Sequence, residues 1–331
     1  MCLDPVSYGL SRRGDRVVEA VSRRLEARMP DTGNRMRSVE ILAAHSRREA
    51  AESPATPQER TLPAGMPESL AERYAIVRER VASAAKKSGR RADDVILVAV
   101  TKYADPEQIR ELLALGHRDL GENRVQQLVQ RAAMVEDYLQ RLQVLPTSKH
   151  TAGEKAQAVN AEPVRWHMIG HLQRNKARKV GEIVRLVHSV DSLRVAEELQ
   201  TVAIKRDQVI DVLVQVNCSG EESKFGCPIP AAIPLAEQIQ TMINVRVRGL
   251  MTMAPYGEKP EDARPTFSRC RELFEEMRVQ GVGEAQFNLL SMGMSGDYEV
   301  AISEGANIVR VGSHIFGEPA QHETDEADSD E

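Results

Sequence analysis

Between residues 66 and 317 the chain switches back and forth between two hydrophobic rhythms. Leu70, Tyr74, Val77, Val81 and Ala84 recur at helical spacing and predict an opening helix that closes near Gly89. VILVAVT (95–101) is a continuous, β-branched apolar run, as a strand buried on both faces should be. PEQIRELLALG then reads as a helix with Pro near its first turn and Gly past its end. The alternation repeats with strands predicted around 117–120, 164–169, 185–189, 209–216, 245–252, 286–291 and 307–311. Helices are predicted between them over 122–140, 173–182, 192–205, 230–242, 262–280 and 296–304.

Eight strand–helix units in about 250 residues have the size and rhythm of a single (β/α)8 TIM barrel, an α/β fold. A doubly wound sheet is the alternative, but it more often shows a Gly-rich first turn, and none follows the first strand. Residues 141–160 (RLQVLPTSKHTAGEKAQAVN) are polar and irregular and read as a surface insertion. Residues 1–65 mix one Arg-rich amphipathic stretch with Pro-, Ser- and Gly-rich segments, and read as a disordered extension. A targeting peptide is a weaker reading, because the stretch carries nine acids and transit peptides are acid-poor. A true start at Met66 is a third. The tail, 318–331, holds seven acids and no base and reads as a solvated terminus.

Charge narrows the function classes. The net charge is −5, yet the two ends carry the imbalance, and residues 66–317 hold equal numbers of acids and bases. A neutral core argues against a nucleic-acid binder, whose footprint should be basic. No window is long and apolar enough to predict a membrane span. Four cysteines without a CxxC pair fit neither a disulfide framework nor a zinc site, and suggest a reducing cytoplasm.

In such a barrel the residues just past the C-terminal strand ends line the active mouth. Here those are Lys102, Gly121-Glu122-Asn123, His167 to Gly170, Ser189 to Asp191, Asn217, Met251 to Met253, Ser291 to Ser295 and Arg310 to Ser313. An amine directly after a buried strand is a candidate for Schiff-base chemistry, with simple snorkelling to solvent as the other reading. SMGMSGD (291–297) and RVGSHIFG (310–317) follow the last two strands, where barrels commonly seat phosphate on small hydroxyls and closely approaching backbone. A phosphate cradle opposite a Schiff-base lysine suggests pyridoxal 5′-phosphate (PLP). Arg310 would then face the pyridine nitrogen; it cannot give up a proton, so the ring would be a weak electron sink. A structural ion pair at the strand end is the alternative for Arg310.

The strings ILVAVTKY, LGENRVQ, WHMIGHLQRNK, VHSVDS, VNCSGEESKFG, VRGLMTMAP, LLSMGMSGDYEVAI and VRVGSHIFGE together resemble the pyridoxal phosphate homeostasis protein family. The fold of that family matches the N-terminal barrel of alanine racemase. The resemblance covers about 66–317 and implies a Schiff base between Lys102 and PLP. It places Asn123 and His167 near the ring or lysine, Ser291, Met294, Ser295, Gly312 and Ser313 near the phosphate, and Arg310 at the pyridine nitrogen. It also implies a carrier or regulator of intracellular PLP without turnover, serving PLP-dependent apo-enzymes, as a monomer or weak dimer. The N-terminal extension, the 141–160 insertion and the acidic tail depart from the family's usual pattern. Ser313 stands where threonine is common, which keeps the hydroxyl.

Two other functions compete. A PLP-dependent racemase needs acid/base groups on both faces of the substrate α-carbon; racemase relatives take one from a second, all-β domain, for which this sequence leaves no residues. A phosphosugar or nucleotide-metabolite barrel would never use the lysine covalently. His167 and His171 flank Gly170 at a strand end and make a poor zinc pair. Met251, Met253, Met292 and Met294 read as gap-fillers in the mouth. GEESKFG reads as a rim loop closed by a local ion pair.

Overall fold

The computed structural model describes residues 69–144, 162–221 and 224–317. Residues 1–68, 145–161 and 318–331 lie outside them, and with them the extension, most of the insertion and the tail. Helix α1 (Leu70–Lys87) opens on a capping box: the Ser69 hydroxyl accepts from the Glu72 N–H, and the Glu72 carboxylate accepts from the Ser69 N–H.

The elements then alternate as β1 (Ile96–Val100), α2 (Pro106–Ala114), β2 (Asp119–Glu122), α3 (Val125–Val144), β3 (Arg165–Met168), α4 (Ala177–Gly181) and β4 (Leu186–Val190). They continue with α5 (Leu193–Lys205), β5 (Ile210–Asn217), the two-residue β6 (Cys227–Pro228), α6 (Ile229–Gln240) and β7 (Val245–Met251). The last are α7 (Arg264–Val279), β8 (Leu289–Ser291), α8 (Tyr298–Ser303), β9 (Ile308–Val311) and the short α9 (Ser313–Phe316).

All eight long strands pair in parallel, in the order β4-β3-β2-β1-β9-β8-β7-β5, and β4 also pairs with β5. That last pairing closes the sheet into the expected barrel. Inside it Val98, Leu186, Leu213, Met251 and Ile308 form a compact apolar plug. A larger shell packs the outward strand faces against the helices, where Ile109, Leu112, Leu128, Leu199 and Phe267 are fully buried.

Two details differ from the sequence expectation. Helix α3 runs to Val144, because Leu139 and Leu142 continue its apolar stripe beyond residue 140. The insertion therefore starts as helix. Strand β8 begins at Leu289, since Glu284–Gln286 is taken up by a tight turn. The loop before β6 is held by Asn217, whose Nδ2 donates to the carbonyls of Glu221 (2.8 Å) and Lys224 (3.3 Å). The ion pair expected in this loop draws on Glu222, which lies outside the described residues.

Candidate functional site at the barrel mouth

Lys102 follows β1 on a short turn, and the turn is fixed from both sides. Downstream, Asp105 and Gln108 exchange side-chain-to-backbone bonds of 2.8 and 3.1 Å, which starts α2 at Pro106. Upstream, the Thr101 N–H donates to Gly121 O (3.0 Å) and its hydroxyl donates to Glu122. Lys102 is half-buried; its Nζ lies 4.4 Å from the centre of the Tyr103 ring, and no ion pair to a described residue involves it.

Asn123 lies just beyond β2, and its Oδ1 is buried without a hydrogen-bond partner among the described residues. The backbone there passes Gly170 so closely that a Cβ at 170 would sit 2.1 Å from Asn123 O. Only glycine fits.

The loop after β8 turns at Gly293 with φ +88, a conformation that favours glycine. Asp297 ties it down: Oδ1 accepts from the Met294 N–H at 2.6 Å. Burial pushes the Asp297 carboxyl up, while that bond and the Arg310 charge oppose the shift. The Ser295 hydroxyl accepts from the Gly312 N–H (3.2 Å), so the two glycine–serine loops are joined directly, with Ser313 next in the chain. Met294 and Ser295 are half-buried beside this junction.

Arg310 is 3% exposed. It donates to the Ser291 hydroxyl (2.7 Å) and to Thr252 O (3.0 Å), both neutral acceptors. Burial lowers its pKa to about 10, with Asp297 pulling the other way, so it stays a cation at neutral pH.

Ser291 and His167 sit deeper than a rim position. The Ser291 hydroxyl is 2.9 Å from His188 Nδ1; His188 Nε2 is 2.9 Å from His167 Nδ1; and His167 Nε2 is 3.2 Å from Asp119 Oδ1. One assignment of protons satisfies every group along this line. Arg310 can only donate, and the Asp119 carboxylate only accepts. Ser291 therefore donates to His188, His188 to His167, and His167 to Asp119. Burial holds the fully enclosed His188 far below the usual imidazole range, helped by the nearby His167 and Arg310. For Asp119 burial acts upward, but bonds from Arg165 and His167 together hold the carboxyl well below its usual range. The Ser291 hydroxyl is thus engaged inside the barrel, and Ser295 and Ser313 are the hydroxyls of the rim.

Sequence reading put Glu122, Thr252 and Asp297 among the mouth segments without giving any of them a role, and passed over Arg131 and His188. Glu122 and His188 lie inside strings noted for other residues, GEN and VHS; an ionisable residue within a buried strand was the available signal. His171 stacks on Phe225, ring centres 4.6 Å apart, and lies 3.6 Å from Asp191.

A closed parallel barrel with an amine after its first strand and joined glycine–serine loops after its last two defines the class. The family model for the alanine racemase N-terminal domain matches residues 76–319. The chain is 38% identical over 251 residues to the pyridoxal phosphate homeostasis protein of Aquifex aeolicus, covering 75% of this chain and 97% of that one. It is 36% identical over 250 residues to that of Pseudomonas aeruginosa, covering 75% and 95%. PipY of Synechococcus elongatus, solved with PLP bound, is 31% identical, with a TM-score of 0.60 over 75% of this chain and 100% of that one. The chain therefore belongs to the pyridoxal phosphate homeostasis proteins, a branch of the alanine racemase N-terminal domain family.

Proposed function

We propose that this chain holds PLP at the barrel mouth and releases it, without turning over a substrate. The observation that carries the reading is the meeting at one end of the barrel of a half-buried amine, Lys102, and two hydrogen-bonded glycine–serine loops. Kinship with a structure that contains PLP supports it. The donor set fits the group: an unpartnered Asn123 Oδ1, a buried guanidinium with neutral partners, and loops of small residues.

When bound, the cofactor supplies an aldehyde carbon open to attack by an amine. Lys102 is the amine in reach of that chemistry. Met294, Ser295, Gly312 and Ser313 hold the phosphate, with Ser291 behind them bracing Arg310. Asn123 and His167 lie on the ring side. Arg310 faces the pyridine nitrogen and, keeping its proton, leaves that nitrogen without one. The ring is then a poor electron sink, which suits a carrier better than a catalyst.

The cofactor-holding unit is the barrel, 66–317, with 141–160 as an insertion and the two ends as appendages. The recipients are PLP-dependent apo-enzymes. The protein acts in the cytoplasm as a monomer or weak dimer, without nucleic acid or membrane, and its buried free thiols Cys218, Cys227 and Cys270 suit a reducing compartment.

The test is direct. Purified protein should be yellow, borohydride should fix the vitamer onto Lys102, and Lys102→Ala should remove all fixed label while unfolding as the parent does. A colourless protein that resists reconstitution would overturn the proposal. Sustained turnover of a chiral amino acid, lost in Lys102→Ala, would overturn its non-catalytic part.

A further inference from the structure

The Lys102 turn rests on a buried ion pair that the scheme above does not use. Glu122 is fully buried at the end of β2, and its Oε1 accepts from both the Thr101 hydroxyl and Arg131 Nη1. Arg131 comes from α3, and its second terminal nitrogen, Nη2, donates to the carbonyls of Lys102 (3.3 Å) and Ala104 (3.0 Å). One guanidinium therefore joins the carboxylate of β2 to two backbone carbonyls of the turn after β1. Burial pushes the Glu122 carboxyl up, and Arg131 opposes it.

An isolated carboxylate at this depth would be costly, and so would a lone guanidinium against two carbonyls. Paired, they form a rigid bracket. The planar fork of arginine suits it, since three acceptors must be met by one head group in fixed directions. A lysine could supply the charge without that geometry.

We infer that Glu122 and Arg131 are positioning residues that clamp the Lys102 turn and so fix where its amine stands in the mouth. The inference rests on the proposal that Lys102 captures the PLP aldehyde, and deepens it. Without the clamp the amine remains, but its backbone gains freedom, and capture of the aldehyde should slow as the oriented fraction falls.

Two independent readouts test it on the full-length protein, comparing parent, Arg131→Met and Arg131→Lys. In cofactor-free protein, amide hydrogen exchange at 102–104 should speed up roughly tenfold in Arg131→Met, a loss of about 1.4 kcal/mol of local protection. On adding PLP, borohydride-trapped label at Lys102 should form roughly tenfold more slowly, and the visible circular dichroism of the bound chromophore should fall by about half. Arg131→Lys should recover little of either. Exchange at 102–104 unchanged in a folded Arg131→Met overturns the clamp, whatever the cofactor does. Parental trapping rate and parental dichroism in that variant overturn it equally. If Arg131→Met does not fold, Thr101→Val, which removes one bond to Glu122, is read in the same two ways, with the same overturning results. Absence of label at Lys102 in the parent would sink the cofactor proposal while leaving the exchange arm to judge the clamp.

Discussion

At the floor of the barrel, where the strands begin, Asp211 is 3% exposed and meets Arg246 at 2.6 Å, Arg248 at 2.9 Å and Arg185 at 3.8 Å. Asp119 there is held by Nε and Nη2 of Arg165, at 2.8 and 2.7 Å. At the mouth, where the strands end, Asn123 Oδ1, Ser189 Oγ and Gln215 Oε1 are buried with no partner, and Lys102 faces a tyrosine ring. A buried polar group left unmatched costs about 1–3 kcal/mol. The floor spends its polar side chains on holding strands together; the mouth keeps some of its own in reserve. That is the contrast expected where one end is scaffold and the other receives a ligand.

The largest effect that would break the contrast lies at the floor. Asp211→Ala should cost about 3 kcal/mol in denaturant unfolding, since it takes the carboxylate from the mostly buried Arg248 and from Arg246, with trapping at Lys102 unchanged. A trapping defect of tenfold at parental stability would mean that the floor is part of the site.

Next comes acid. His117 is buried at the start of β2; its Nε2 donates to Asp119 O (2.8 Å) and its Nδ1 accepts from the Tyr74 hydroxyl at 3.1 Å. Burial lowers it from 6.5 to about 4. The folded state therefore prefers the neutral ring. The resulting contribution, about 3 kcal/mol, is complete above the unfolded pKa near 6.5 and is lost as pH falls toward 4. Unfolding free energies measured between pH 7 and 4 should show this fall, and His117→Gln should make it shallower, leaving the share of the likewise depressed His188; an equal slope in both would assign the loss elsewhere.

The smallest effect sharpens the mouth. Arg310→Ala should weaken PLP retention by about 1–3 kcal/mol, measured by dialysis or dye-free spectral titration. Unchanged retention would remove Arg310 from its proposed place.

The strands and helices were legible because their apolar runs are long and their spacing changes cleanly from one rhythm to the other. The rim positions follow from the barrel rule alone, which is why Lys102, Asn123, Ser295 and Arg310 are legible in the sequence. What lay beyond reach was register. His167 meets His188 and Asp119 because β2, β3 and β4 are aligned as Gly121 to His167 and His167 to Leu186. Period-two patterning says which face a residue is on, not how far along the neighbouring strand its partner stands. The Arg131 clamp was hidden for a similar reason: its partners come from two other elements, and on its own helix it looks like any half-exposed arginine.

The line from Arg310 through Ser291, His188 and His167 to Asp119 has a consequence for the field inside the molecule. Every bond dipole in it points the same way, with hydrogens toward the carboxylate and lone pairs toward the guanidinium. Such a row polarises itself cooperatively and favours the ion at either end. The apolar plug can thus lie between a buried cation at one end and a partly exposed anion at the other, as a casing lies between the poles of a battery.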